Sequence, residues 1–491
     1  MRNILLSAFA MMFIVGIVVF YFKLASDSTQ NSVSHPLEPQ GLLSRGCGED
    51  PALHPAWRCY WLTVGLDTQT PHTLPGAVYL SHTKPHYQDP LVFIGGGPGE
   101  SGQSVEGALL FWQDWLASAG IERDFVILEP RGAGLSNPRL ECDEYENLSK
   151  QLMLKSLTFA EEMQRVQAVL EACFQSLDRE VNNLKQFNSL NNASDLQNFL
   201  SLLGYQRWNY LGVSYGTRVA LVAALNQPQV NKLILDSTYP FHRGHLDQMP
   251  GIWASAIRDY LNNESPGVRA MFSQLLRRLK QQPLTVKSVD WTTDMPVEWV
   301  LNDQRFYALI FLALYSTELR ESLLELAAYL LEVGDSTEHS MLEYFYNQIF
   351  DPSFSSLLYF ATECNDNPLV SEEAFEKGLD AAGELRPLFE SDWALDICRQ
   401  SFFQPGQLPQ MAVLANSALV AVGENDPITT VEPSKELMLN LPNGVLLELE
   451  GRGHSEFYAS SCAKRLIPLF LKASESQAEQ MLKMGCASDS E

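Results

Sequence analysis

The stretch WNYLGVSYGTRVALVAAL (residues 208–225) opens as an apolar, aromatic-rich run, closes as a helical one, and is joined by GVSYG (residues 212–216). A buried strand followed at once by a helix, with G-x-S-x-G at the turn, is a strong signal, whereas the pentapeptide alone is weak. The turn is sharp. A serine placed there is forced into unfavourable φ/ψ, so its flanks must lack bulk, while its hydroxyl stands clear of the sheet edge at the helix N-terminus. Ser214 is therefore the candidate nucleophile.

Outward from that join the same rhythm repeats. LVFIG (91–95), DFVILEP (124–130), VNKLILDS (230–237), ALVAVGE (418–424) and GVLLELEG (444–451) are short and apolar, with helical patterns between most of them. Such runs suit strands covered on both faces, so the expected fold is α/β, with a mostly parallel central sheet and helices on both sides. From about 240 to 410 the pattern changes to long helical stretches such as QRFYALIFLALYSTELRESLLELAAYLLEVG (304–334), with hardly a strand. That segment reads as an inserted, mainly helical cap between two parts of the core, 47–239 and 411–491. No internal repeat is visible.

A serine hydroxyl is a poor nucleophile near neutral pH and needs a base, which in turn needs a partner to fix its tautomer. Both are expected downstream. Asp426 follows one strand-like run in VAVGENDPITT (420–430), and His454 follows the next in LEGRGHS (449–455), giving the order serine, acid, histidine. His454 is the only histidine after Asp426, and the other eight lie in the early segments or the cap. Glu424 is a rival for the acid; Asp426 is preferred because Asp-Pro starts a turn that aims the carboxylate over the sheet edge. Acyl transfer also needs two backbone N–H donors for the oxyanion, one from Tyr215 and one from a loop after an earlier strand. The run GGGPGESG (95–102) supplies that loop, with Gly97 as the second donor. It lacks the endings and spacings of a phosphate-binding loop.

The chain has 491 residues, 46% of them hydrophobic, and a formal charge of −25. That balance describes a globular protein and disfavours nucleic-acid binding, which needs a basic face. Residues 4–22 are uncharged and apolar, long enough to cross a bilayer, and no clean cleavage site follows. An uncleaved anchor is favoured over a cleaved signal peptide, a buried core helix being the remaining reading; the only expected membrane contact is this segment. Either leading option places the rest outside the cytoplasm, and the polar residues 25–46 read as a tether. The eight cysteines fall into neighbouring pairs, Cys47 with Cys59, Cys142 with Cys173, Cys364 with Cys398, and Cys462 with Cys486. Four local disulfides would fit an oxidising compartment. Eight cysteines allow 105 pairings, so buried free thiols stay open as well. There is no C-x-x-C or His/Cys cluster at ligand spacing, and no metal or cofactor is expected.

Taken together, GGGPGESG, EPRGAGLS (129–136), GVSYGTR, GENDPIT (423–429) and GRGHS (451–455) resemble the prolyl iminopeptidase and tripeptidyl aminopeptidase group of α/β-hydrolase serine exopeptidases. The cysteine pairs and ATECNDN (361–367) look closer to the secreted tripeptidyl branch. Gly95 stands where the iminopeptidases usually carry His, Glu100 replaces a usually small residue, and Glu129 stands where many members have Asp. The resemblance implies removal of residues from peptides with a free N-terminus, by a Ser214–His454–Asp426 triad under a closing cap, with no cofactor. It also implies carboxylates that hold the substrate ammonium, for which the motif acids are Glu363 and Asp366. Glu100 is a third candidate by position alone, and a capping or salt-bridge role for these acids is the plainer alternative. A carboxylesterase or lipase would use the same triad with an apolar acyl pocket, and a silent binding protein would use neither. The sequence leaves the oligomeric state open.

Overall fold

Alternation along one strand shows how the sheet is buried. In β11 (Ser417–Gly423) Ala418 and Val420 pack with Val219 and Ala220 on one face, while Leu419 and Ala421 pack with Ile467 and Phe470 on the other. Both faces are covered, which is why the strand reads as an unbroken apolar run. Each of the larger side chains among these, valine, leucine, isoleucine or phenylalanine, contributes on the order of 1.5–3 kcal/mol when fully removed from water.

The structure, a computed structural model, describes residues 41–48, 50–65, 71–81, 89–103, 107–181, 183–240, 247–390 and 397–473. The apolar segment 4–22, the polar residues 25–40 and Cys486 lie outside the described residues. Among the described residues nine strands form one sheet: β1 (Leu42–Arg45), β2 (Trp57–Val64), β3 (His72–Tyr79), β4 (Leu91–Ile94), β5 (Phe125–Leu128), β6 (Trp208–Val213), β7 (Val230–Asp236), β11 and β12 (Gly444–Leu449), in the order β1-β2-β3-β5-β4-β6-β7-β11-β12. The six strands from β5 to β12 pair in parallel, and β1, β2 and β3 add an antiparallel edge. The chain leaves β4 to form β5 on one side and later returns as β6 on the other. Loops after β4 and β6 therefore open onto the same crevice, the usual place for a site in such a sheet.

Two expectations change. Residues 42–45, read as the end of a tether, are the edge strand β1, paired with β2 through Leu42 opposite Leu62. The segment between β7 and β11 carries the expected long helices, including Asp303–Ala313, Thr317–Glu332 and Ser356–Asp366, but also a three-stranded sheet of β8 (Leu284–Asp290), β9 (Met295–Leu301) and β10 (Ser336–Glu338). Disulfides join Cys47 to Cys59, Cys142 to Cys173 and Cys364 to Cys398. Among the described residues no helix is long and apolar enough to cross a membrane.

Candidate active site

Ser214 sits between β6 and the helix Tyr215–Asn226 with φ 53° and ψ −119°, a left-handed conformation that a non-glycine residue holds only under surrounding constraint. The constraint is visible. Its N–H donates to the Asp236 carbonyl at 2.9 Å, and its carbonyl accepts from the Thr217 hydroxyl at 2.6 Å. A Cβ on Gly216 would lie 2.1 Å from the Ile94 carbonyl oxygen, so the helix start can approach β4 only as glycine. The G-x-S-x-G spacing is thus a packing requirement.

Parallel pairing of β11 with β12 places the turns after these strands side by side. His454 Nε2 lies 3.0 Å from Ser214 Oγ, and His454 Nδ1 lies 2.9 Å from Asp426 Oδ2. Asp426 is buried, and its other oxygen accepts from the Ile428 and Thr429 N–H groups at 3.0 and 2.7 Å. The Thr429 hydroxyl donates to Asp426 Oδ2 at 2.7 Å. Burial alone would raise the Asp426 carboxyl, but the His454 imidazole and these donors hold it below the usual range. Burial alone would lower His454, and the Asp426 carboxylate more than offsets this, so its imidazole is raised. Glu424 is exposed and accepts from the Gly451 N–H at 3.0 Å, away from this chain of contacts. The cap reaches the base directly: the His454 N–H donates to the Tyr315 carbonyl at 2.9 Å, and the two rings meet edge to face at 5.2 Å.

The glycine-rich loop follows β4, beside Ser214. Gly97 has φ 97°, a conformation that favours glycine, and lines the same cavity as Ser214 and His454. Neither Gly97 N–H nor Tyr215 N–H makes a hydrogen bond among the described residues. Glu100 closes the loop, its Oε2 accepting from the Gly96 N–H at 2.8 Å. Opposite runs a cap segment: Ser101 N–H donates to the Ser353 carbonyl at 3.1 Å, Ser355 N–H donates to the Gly99 carbonyl at 3.0 Å, and Glu100 stands opposite Phe354. This pairing brings Asp351 towards Glu100. Desolvation raises the Glu100 carboxyl against the pull of the Gly96 N–H, and the Asp351 charge raises it further. Asp351 is raised by burial as well.

The cavity over Ser214 has a volume of about 570 Å³. Apart from His454, the charged residues that line it among the described residues are Glu100, Glu318, Asp351 and Glu456, all acids. Glu363 and Asp366 are not among its lining. Both are about 1% exposed on the helix Ser356–Asp366, and each lies 3.6 Å from the guanidinium of the fully buried Arg218. Glu363 also accepts from the Tyr239 hydroxyl at 3.0 Å, Asp366 accepts from Ser189, and Arg218 stacks 3.8 Å over the Tyr239 ring. Burial pushes the Asp366 carboxyl up to about 6 despite Arg218 and Ser189. The two motif acids are packed behind the nucleophile helix rather than over the cavity.

Sequence reasoning missed Asp351, Thr429, Tyr315 and Asp236. Thr429 was legible in principle, as the fourth residue of an Asp-led turn that caps its own carboxylate. Asp236 ends β7 beside the nucleophile strand, accepts from the Tyr458 N–H at 2.8 Å, and is pushed up to about 7 by burial. Asp351 and Tyr315 come from the cap, and no local pattern announces them. Among the described residues the single group of candidate metal ligands is Cys142, Glu144 and Cys173, whose two sulfurs are joined as a disulfide.

Residues 89–322 match the family described as alpha/beta hydrolase fold, and residues 386–481 match the family described as TAP-like protein. The chain has the alpha/beta hydrolase fold. It is 29% identical over 202 residues to a tripeptidyl aminopeptidase of Streptomyces coelicolor, a match covering 39% of this chain and 37% of that protein. It is 30% identical over 152 residues to the serine protease Hip1 of Mycobacterium tuberculosis, covering 30% of this chain and 28% of that one. The chain thus spans only 28–37% of the length of these curated relatives. Among solved structures, the proline iminopeptidase of Mycobacterium smegmatis is 12% identical with a TM-score of 0.36, covering 86% of this chain and 98% of that one.

Proposed function

We propose that the protein is a serine peptidase acting at free N-termini of peptides. The observation that carries this reading is the Ser214–His454–Asp426 chain beneath a cavity whose other charged lining, among the described residues, is acidic. Ser214 Oγ attacks the scissile carbonyl carbon while its proton passes to His454 Nε2, and Asp426 holds the ring and stabilises the imidazolium. The oxyanion is received by the Gly97 and Tyr215 N–H groups. His454 then protonates the leaving amine, the C–N bond breaks, and water repeats the sequence on the acyl-enzyme to regenerate Ser214.

Substrate ammonium is held by Glu100 with Asp351. Neither acid has an ion-pair partner among the described residues, and both gain one when a cation enters a poorly solvated site. The relatives named tripeptidyl aminopeptidase and serine protease support the class of reaction. The three disulfides among the described residues suit an extracytoplasmic location, and residues 4–22 would tether the chain there. The division into core, cap (240–410) and core belongs to the same reading, with the cap supplying Asp351 and Tyr315.

A panel of p-nitrophenyl esters, aminoacyl and tripeptidyl p-nitroanilides, and their N-acetylated forms tests the assignment. Cleavage of free-amine nitroanilides and neglect of acetylated ones is expected. Turnover of esters alone would establish a carboxylesterase instead.

A further inference from the structure

Beside the catalytic cavity lies a second one, of about 500 Å³, walled by the cap and by Tyr145, Phe159 and Met163 from the segment before β6. Its size falls within the roughly 300–1,000 Å³ typical of small-molecule sites. No charged residue is among its described lining, which is dominated by aromatic rings such as Phe159, Trp253, Tyr307, Phe311, Phe360 and Phe389. Trp253 packs 4.8 Å from Phe311 and 6.2 Å from Phe389, centroid to centroid. The two cavities share Met249, Trp253, Phe354 and Tyr359 as walls. At that junction Phe354 is 38% exposed, unusual for a phenylalanine with so much apolar surface nearby, and the Trp253 indole N–H is buried without a partner among the described residues. An apolar chamber with an unpaired donor at its mouth is suited to a ligand that is apolar at its end and carries an amide carbonyl at its neck.

We propose that this chamber receives the side chain of the substrate's N-terminal residue, and that the protein selects peptides beginning with an aromatic or large aliphatic residue. The inference rests on the peptidase reading above. An α-ammonium and its side chain leave the same Cα, so a side chain must start within a few ångströms of the acids that hold the amine. Glu100 stands opposite Phe354 in the loop pairing, and Phe354 lines both cavities. The chamber mouth is therefore next to the proposed amine site. A charged side chain would lose its hydration there with nothing to replace it.

The test uses the full chain and two series of free-amine p-nitroanilides, Xaa-anilide and Xaa-Ala-Ala-anilide, with Xaa as Phe, Leu, Ala or Asp. In the series that is cleaved, Phe and Leu should exceed Ala by about tenfold or more in kcat/KM, and Asp should be poorest. Ala308→Trp, which fills the chamber from the helix Asp303–Ala313, should bring the Phe-to-Ala ratio down to about 1; Met163→Trp, from another wall, is the second variant should the first not fold. Peptide cleavage indifferent to Xaa, with the ratio unmoved in both variants, overturns the subsite alone. p-Nitrophenyl ester rates that climb from acetate to dodecanoate, and lose that climb in Ala308→Trp, make the chamber an acyl pocket and overturn it too. No cleavage of any free-amine peptide overturns the peptidase reading on which the inference stands.

Discussion

Asp366 grips Ser189 at two points, N–H to Oδ1 at 2.9 Å and hydroxyl to Oδ2 at 2.6 Å, and the same hydroxyl lies 2.9 Å from the Tyr215 phenol. The Tyr215 phenol also accepts from Asn192 at 3.0 Å. Tyr215 directly follows the nucleophile, so this acid steadies the turn on which attack depends. Asp366→Asn should lower turnover of a free-amine peptide and of p-nitrophenyl acetate by the same factor and should lower the thermal midpoint, since breaking a buried ion pair costs about 3–5 kcal/mol. Steady-state assays of both substrates decide it. A loss confined to free-amine substrates would return the amine-binding role to Asp366.

The hydrogen-bonded chain from Ser214 to Asp426 can be tested one residue at a time. Ser214→Ala and His454→Ala should each reduce kcat by about 10⁴-fold or more with folding retained, and Asp426→Asn by about 10⁴-fold because the imidazole then sits in the wrong tautomer. Circular dichroism alongside the assay separates lost chemistry from lost fold. A Glu424→Gln variant should stay close to the parent, because that side chain faces solvent and caps Gly451.

The pH profile should differ between substrates. His454 must be neutral to accept the serine proton, and Asp426 raises its pKa, so kcat/KM should fall on the acid side beginning above the ordinary imidazole value. Glu100 must be ionised to hold an ammonium, and its raised pKa steepens the same acid limb for peptides. On the alkaline side a peptide α-amine loses its proton near pH 8 or so, and its rate should fall there. An acetate ester carries no amine and should show only the acid limb. Matching alkaline limbs for both substrates would count against the amine site.

Gly216→Ala tests the fit of the turn against β4. The added methyl carbon meets the Ile94 carbonyl oxygen at 2.1 Å, a backbone contact that cannot rotate away. Overpacking of this kind costs typically 1–3 kcal/mol or more. Chemical denaturation should show that loss, together with activity reduced beyond the fraction unfolded.

The parallel strands were legible as short apolar runs, which burial on both faces leaves in β4, β5, β6, β7 and β11 and which the partly exposed edge strand β12 also keeps. The antiparallel edge was not. β3 contains Pro75 and Gly76, which blur any alternation, and β1 is only four residues long. The hairpin of β8 and β9 was overlooked because its apolar residues point to one side only and long helices surround it. Ser214, Asp426 and His454 could be picked out because each ends a strand, where order in the sequence maps onto order in the sheet. Glu363 and Asp366 could not be placed, because whether a helix turns its acids towards a cavity or towards a buried arginine depends on packing remote in sequence. Arg218 settles that question, and it is the only charged residue in its helix.

Recognition of a free amine above a serine nucleophile is the central claim, and one comparison reaches it most directly: kcat/KM for a single tripeptide p-nitroanilide with its N-terminus free and then acetylated. Acetylation removes the charge and leaves Glu100 and Asp351 unpaired, so the free form should be faster by about 10-fold to 1000-fold, the range for losing one member of a desolvated charge pair. Equal rates for the two forms would contradict the claim.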